Sequence, residues 1–341
     1  MSVLHVAVVR EDVPGGASPD ALDTVRQARS VAQSLALCGW RASEHVFGRD
    51  PSVLEAELAQ IRPDVVFNLV ESWSGLASLA CVAPALFRKA GLAFTGADEG
   101  SMALSGDKAL ARRLLHAAGL PVPSGATMEE LRRGVFPGAS TYIIKARFED
   151  ASLGLGPDCV VAARQPQELL DAMQGLASRM GGDCVAEGYV RGREFNVALL
   201  AEAGGGVCVL PVAEMVFDPG LTGPAILHYA AKWEQESADY AASVRSFDLA
   251  GEEDLASNMR RIALSCWDLF GLAGYARIDF RVGEDDGLPY VIDVNPNPCI
   301  TPDAGFAAAA LRANLDHAVV VRSIVLDALA RAGRLETASH V

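Results

Sequence analysis

The sequence predicts an α/β fold of three successive units, the first a doubly wound, mainly parallel sheet. Three observations carry this. From the N-terminus to Gly96, apolar runs of strand length alternate with helical patterns. From Tyr142 to Val190 the order is strand, glycine-bearing loop, strand, helix, strand. Near the C-terminus two strand-like runs flank the acidic, glycine-bounded segment Gly283–Gly287, which has the composition of a hairpin loop. A length of 341 residues accommodates two or three domains. Half the residues are hydrophobic, with 32 Gly and 17 Pro, a globular rather than a disordered composition.

The elements follow in order. Val3–Val9 reads as a strand, and ALDTVRQARSVAQSLALCGW as an amphipathic helix ending near Gly39. DVVFNLV is a second buried strand, and LASLACVAPALFRKAG a helix with Gly91 past its end. The first unit closes near Thr95–Gly96, giving a division into residues 1–96, 97–186 and 187–341. In SGDKALARRLLHAAGLPVPSG, Ser105 or Asp107 can cap a helix that Gly119 ends and Pro121 and Pro123 forbid to continue. The second unit holds TYIIKAR, the loop EDASLGLG, CVVAAR, the helix PQELLDAMQGLAS and CVAEGYV. The third begins near Glu187 with REFNVALLAE and GVCVLPVAEMVF. Its helix NMRRIALSCWDLFG leads into the hairpin, and a helix pair from about Gly305 to Ala332 closes the chain.

The net charge of −14 argues against a nucleic-acid binder, which would carry a basic stripe, yet leaves room for a small polyanion met by a few local cations. Seven cysteines, odd in number and without a C-x-x-C pair, fit a reducing cytoplasm. The first apolar run contains His5 and is too short for a signal or membrane segment.

The hairpin carries the first chemical argument. Tyr275–Val282 alternates, placing Arg277, Asp279 and Arg281 on one face. On the second run Asp293 and Asn295 share a face. A tip near Asp286 pairs Asp279 with Asp293 and Arg277 with Asn295. Carboxylates directly opposite one another destabilise a sheet unless a cation lies between them. Hard oxygen donors suit Mg²⁺, which binds through one or two carboxylates together with substrate phosphates. A strand end turning into a polar loop accounts for Asp293 and Asn295 alone, and a one-residue change of register would undo the pairing.

The remaining charged residues matter through their order. Lys108 opens a helix, Lys145 ends an apolar strand before the small-residue loop around Ser152 and Gly154, Glu187 ends another strand, and Glu194 and Lys232 follow. Singly, each has an ordinary explanation: a solvated helix lysine, a snorkelling strand-end lysine, a glycine-rich turn, or Glu194 paired with Arg191 or Arg193. Together, YIIKARFEDASLGL, AEGYVRGREFNVAL, GYARIDFRV and VIDVNPNP, with TGADEGSMALSGDKALARRLLHAAGLPVP before them, resemble the ATP-grasp superfamily. Within it they are similar to the D-alanine–D-alanine ligase branch.

This resemblance implies an ATP-grasp fold, with the N-terminal parallel-sheet domain followed by two α+β domains clasping ATP. It implies that Lys108 and Lys145 neutralise phosphates beneath the loop of Ser152 and Gly154. Ala186, Glu187 and Tyr189 would meet the adenine, and Glu194 the ribose. Asp279, Asp293 and Asn295 would hold one or two Mg²⁺, with Mn²⁺ as an alternative. Arg277, Lys232 and Ser152 would act at the transferred phosphate. The implied activity is ligation of a carboxylate to an amine through an acyl phosphate, on small amino-acid-like substrates, in the cytoplasm, with no nucleic-acid or membrane partner; a homodimer is compatible with it. Departures from the branch point away from D-alanine. Only Glu11 stands where an N-terminal glutamate holds the first substrate, and NLVESWSG offers Glu71 and Ser72 in place of a histidine. Where the branch has a serine receiving the second substrate's carboxylate, CITPDAGF brings Asp303 and Ala304. An acid there would repel a carboxylate, or else cap the following helix. The alternatives are a true D-alanine–D-alanine ligase and a non-ligating nucleotide-binding protein.

Overall fold

The computed structural model describes residues 3–14, 16, 19–149, 152–218, 220, 223–227, 229 and 242–334. The N-terminal unit runs β1 (His5–Glu11), α1 (Pro19–Leu37), β2 (Arg41–Phe47), α2 (Pro51–Ile61), β3 (Val65–Leu69) and α3 (Val82–Lys89). Its sheet is parallel in the order β2-β1-β3, so the crossover helices cover both faces. Two of these elements escape the apolar pattern. β2, RASEHVF, is a polar edge strand in which only Phe47 is fully buried. α2 is announced by its ends: Asp50 accepts from the Ser52 amide and Pro51 fills the first helical position.

The second unit holds α4 (Glu99–Gly106), α5 (Lys108–Ala117), β4 (Gly125–Thr127), α6 (Met128–Arg132), β5 (Thr141–Ala146), β6 (Val160–Ala162), α7 (Pro166–Leu176) and β7 (Cys184–Gly188). Its four strands form an antiparallel sheet in the order β4-β7-β5-β6. Tyr142, Ile144, Leu169, Met173 and Ala186 close a core there that, among the described residues, draws on no other unit. Asp107 caps α5, accepting from the Ala109 and Leu110 amides, whereas the Ser105 hydroxyl bonds back to the Ser101 carbonyl.

The rest of the chain gives β8 (Gly192–Ala201), β9 (Val207–Val209), β10 (Ala213–Phe217), β11 (Ser243–Ser246), α8 (Glu253–Phe270), β12 (Tyr275–Gly283), β13 (Pro289–Pro296), α9 (Gly305–Arg312) and α10 (His317–Arg331). The large sheet is antiparallel, β11-β10-β8-β12-β13, with β9 paired to β8. One face packs Phe195, Val197, Ile278 and Phe280 against Met259, Ile262 and Phe270 of α8. Its other end shares a core with the N-terminal sheet, where Leu200 and Tyr275 meet Val8, Phe67 and Ile324. At that junction a Cβ on Gly274, whose φ is +69°, would lie 2.8 Å from the Gly96 Cα, so only glycine lets the two segments touch.

The hairpin pairs Asp279 with Asp293 and Arg277 with Asn295, as the tip near Asp286 requires. Nearer the loop the register differs by one: Phe280 pairs with Val291 rather than with Ile292, across an irregularity at Asp279/Phe280. Ile292 is thus the extra residue of a bulge.

Candidate functional site

A cleft opens between the four-stranded and the large sheets. Ten of the thirteen residues expected to bind or react line it: Lys108, Lys145, Ser152, Glu187, Tyr189, Glu194, Arg277, Asp279, Asp293 and Asn295. Ala186 is fully buried behind it in β7. Gly154 lies off its wall, and Lys232 lies outside the described residues.

The first-turn lysine of α5 is not solvated. Lys108 is 9% exposed, donates to the Glu149 carbonyl at 3.1 Å and stands 3.7 Å from Asp293. A cation at a helix N-terminus opposes the helix dipole, so this lysine is not placed there for the helix. Its position is fixed from behind. Arg147 donates to both oxygens of the Asp107 cap at 2.9 and 2.7 Å and to Asp183 at 3.1 Å. Burial pushes the Asp107 carboxyl up, but Arg147 and the α5 amides outweigh it and hold it below the usual carboxylate range.

Lys145 donates to Glu187 at 2.9 Å and to the Ile292 carbonyl at 3.3 Å, so β5, β7 and the bulge of β13 meet on one ammonium. Glu194 pairs with Arg281 at 3.2 Å, while Arg193 turns to Glu214 and Glu252. Glu194 thus meets Arg281 rather than Arg193, which strand alternation sends to the opposite face of β8, while Arg191 pairs with Glu284 at 3.1 Å.

Asp279 is 8% exposed and accepts from Arg277 Nε at 2.7 Å and Nη2 at 2.8 Å, Asn196 at 2.8 Å and Asn295 at 3.1 Å. The opposed carboxylates are thus each served by a cation, Asp279 by Arg277 and Asp293 by Lys108. Among the described residues, Lys145–Glu187 and Arg281–Glu194 add two further cation–carboxylate pairs around the cleft. The donor set fits a hard divalent ion: two carboxylates opposite one another and, two residues on, the carboxamide of Asn295. Its nitrogen is engaged by Asp279 and the Arg277 carbonyl, which leaves its oxygen for a cation. No group of three His, Cys, Asp or Glu suited to a metal occurs among the described residues.

The loop over the cleft is held at described points by Ser152 Oγ, which donates to the Leu227 carbonyl at 2.8 Å, and by the Tyr229 amide, which donates to the Leu155 carbonyl at 3.3 Å. Gly154 has φ +68°, and a Cβ there would lie 2.3 Å from the Arg179 carbonyl. Packing against Arg179 is thus one reason for glycine at this position, beside the close phosphate approach expected from the sequence.

Two cleft-side residues were missed by sequence reasoning. Arg281 shares the alternating face of Arg277 and Asp279, a signal that could have found it. Asn196 reaches Asp279 only because β8 lies beside β12, an adjacency the sequence does not spell out.

At the N-terminal unit, Glu11 ends β1 and is 8% exposed, accepting from Thr24 Oγ1 at 2.8 Å and the Glu71 amide at 2.9 Å. Burial pushes its carboxyl up. Asp303 neither caps α9 nor stands as a bare acid: the cap position is Ala304, without a side-chain bond, and Asp303 pairs with Arg26 at 2.9 Å.

Residues 143–326 match the family model described as D-ala D-ala ligase C-terminus. A D-alanine–D-alanine ligase of Chelativorans sp. is 26% identical over 335 residues, 96% of this chain and 99% of that protein. A protein of Sinorhizobium fredii named y4sG is 29% identical over 271 residues, 76% of this chain and 73% of its own length. The crystal structure of a Bacillus anthracis D-alanine–D-alanine ligase complexed with ATP superposes with a TM-score of 0.72 at 15% identity, covering 97% of this chain and 99% of that one, a likeness of fold.

Proposed function

The chain belongs to the D-Ala–D-Ala ligase family of the ATP-grasp fold, and we propose that it joins two amino-acid-like substrates other than a pair of D-alanines. Like the family, it is an ATP-dependent ligase that forms a C–N bond. The observation that carries the reading is the cleft itself, in which Lys108 and Arg277 meet the opposed carboxylates Asp293 and Asp279 while Lys145 meets Glu187 beside them. A carboxylate resists amines because its leaving group would be oxide. Transfer of the γ-phosphoryl group of ATP to it gives ADP and an acyl phosphate. The amine nitrogen then attacks the carbonyl carbon, the C–O bond to phosphate breaks, and the amine proton passes to solvent or phosphate.

In this reading Lys108 and Lys145 hold phosphate oxygens, and Arg277 stabilises charge on the phosphoryl group in transit. Glu187 and the backbone from Ala186 to Tyr189 face the adenine, and Glu194 the ribose. Asp279, Asp293 and Asn295 would hold Mg²⁺, which when bound neutralises phosphate charge. The loop of Ser152 and Gly154 excludes water that would hydrolyse the acyl phosphate. We keep the division at residues 1–96, 97–186 and 187–341 as the functional one: substrate-facing loops first, the phosphate and adenine grip second, the metal hairpin third. No helix among the described residues is long and apolar enough to cross a membrane.

Substrates other than D-alanine are supported by Ala304, which offers no hydroxyl where the resemblance places a serine for the acceptor carboxylate. The repulsion expected from Asp303 is no longer part of the case, because Arg26 offsets that charge. A second reading, D-alanine–D-alanine ligase itself, is favoured by the name of the relative matching 96% of the chain. Incubation with MgATP and amino-acid pairs, following ADP and scanning products by mass spectrometry, separates them. A condensed product from other pairs, with D-alanine used at least tenfold less well, is expected. Efficient D-alanyl-D-alanine formation would establish the second reading, and no amino-acid-dependent ADP release would remove both.

A further inference from the structure

Among the described residues, the mechanism above leaves one buried cation of the cleft without a task. Arg281 is 4% exposed and lies opposite Glu194 across β8 and β12. Its guanidinium donates to Glu194 at 3.2 Å, to the Val190 and Gly192 carbonyls, each at 2.8 Å, and to the Ala225 carbonyl at 2.6 Å. The Tyr189 ring stands 5.3 Å from it. These acceptors belong to the turn between β7 and β8, to β8, and to the segment before Leu227, whose carbonyl holds Ser152. A hydrogen-bonded path therefore runs from Glu194 through Arg281 and the Ala225–Leu227 segment to the loop over the phosphates.

Stability does not call for such an arrangement. A buried ion pair in a sheet is often no better than two apolar side chains of similar volume. What a guanidinium adds is a rigid fork that fixes several acceptors in direction at once, which neither Lys nor Met can do. We propose that Arg281 is a positioning residue for the nucleotide, holding the Glu194 carboxylate as acceptor for the ribose hydroxyls and anchoring the Ala225–Leu227 segment to it. Arg281 thereby sets the preference for ATP over deoxyribonucleotides. The inference rests on the nucleotide reading of the cleft given above.

The test measures calorimetric Kd values for ATP, 2′-deoxy-ATP and 3′-deoxy-ATP with Mg²⁺, and KM and kcat for ATP, in the full chain and in Arg281→Met, Arg281→Lys and Glu194→Gln. The wild type binds ATP about tenfold more tightly than at least one deoxy form, as expected for one charge-assisted hydrogen bond. Arg281→Met raises the ATP Kd and KM about tenfold, lowers kcat by a smaller factor, and reduces the deoxy preference to within twofold. Arg281→Lys recovers part of both. Retention of affinity and preference by Arg281→Met, or equal binding of all three nucleotides by the wild type, overturns the inference while leaving the ATP site standing. Absence of ATP binding by the wild type overturns both. Should Arg281→Met fail to fold, Glu194→Gln decides: it loses the same preference with Arg281 in place, and undiminished preference refutes the role.

Discussion

Asp279 and Asp293 face one another as near equivalents, yet their surroundings make their removal unequal. Asp279 accepts from Arg277, Asn196 and Asn295 and is 8% exposed, whereas the Asp293 side chain is 25% exposed and stands 3.7 Å from Lys108. Breaking a fully buried ion pair by deleting one partner costs about 3–5 kcal/mol. The Arg277 side chain is 23% exposed, and water regains it once Asp279 is gone, which lowers the cost of Asp279→Ala to about 2 kcal/mol. Relief of the like-charge opposition returns roughly 0.2–1 kcal/mol in either variant. For Asp293→Ala that relief about cancels a partly solvated pair worth ~0–1 kcal/mol. With an unfolding entropy of about 2.1 cal/mol/K per residue, 1–2 kcal/mol in a chain of this length is a Tm loss of about 1–3 °C. Asp279→Ala should therefore melt about 1–3 °C low and Asp293→Ala within less than about 1 °C of wild type. Both should lose at least ~100-fold in MgATP-dependent ADP release, since groups merely supporting a metal ligand already cost 10–100-fold. Differential scanning calorimetry and a coupled ADP assay on the same preparations provide the check. Near-wild-type turnover in either variant would refute the metal assignment, and equal melting losses would refute the accounting of contacts.

Lys145→Met should raise the ATP Kd at least about tenfold and cost about 3 kcal/mol by stranding Glu187; adding Glu187→Gln should restore the urea midpoint but not the affinity, and recovery of both would deny Lys145 a phosphate role. Arg147→Ala should destabilise in a pH-dependent way. The Asp107 carboxyl is held below its ordinary 3.8 in the folded state, so its contribution is full above that value and lost as pH falls through the lowered one. The melting difference from wild type should be constant near neutrality and close below about pH 4, and a gap unchanged at pH 3 would contradict this. An ATP analogue should slow amide exchange at Ser152–Gly156, where few apolar contacts hold the backbone; equal protection with and without it counts against a covering role. Ala304→Ser should raise the use of D-alanine as acceptor several-fold by supplying a hydroxyl donor, and an unchanged kcat/KM would detach position 304 from the acceptor.

The hairpin shows how far local pattern reaches. Period-two alternation and a glycine-bounded acidic loop were enough to set Asp279 against Asp293, because side-chain facing is a local property of strands. The bulge at Ile292 left no such trace: an inserted residue in an apolar run changes no pattern, only the count. β2 was illegible for the opposite reason, since a polar edge strand has no apolar run to show. Lys145, Glu187 and Glu194 were legible from their order along the chain, whereas the arrangement of cations on carboxylates around the cleft depends on which strands become neighbours. The capping role offered for Asp303 is not taken up, because its carboxylate turns instead to Arg26, 277 residues away.

The core shared by Val8, Phe67, Leu200, Tyr275 and Ile324 has a bearing on how such a chain can be inherited. An exchange between related genes that swaps the segment from β4 to β7 carries a closed core with it and leaves the others whole. One ending at Gly96 cuts the shared core in two and sets Gly274 against a foreign backbone with no clearance. Recombination can therefore exchange the four-stranded sheet and the loop after Lys145 in one event. The loops at Glu11, Glu71 and Ala304 ride on the body that cannot be divided, so change there has to come by successive point substitutions.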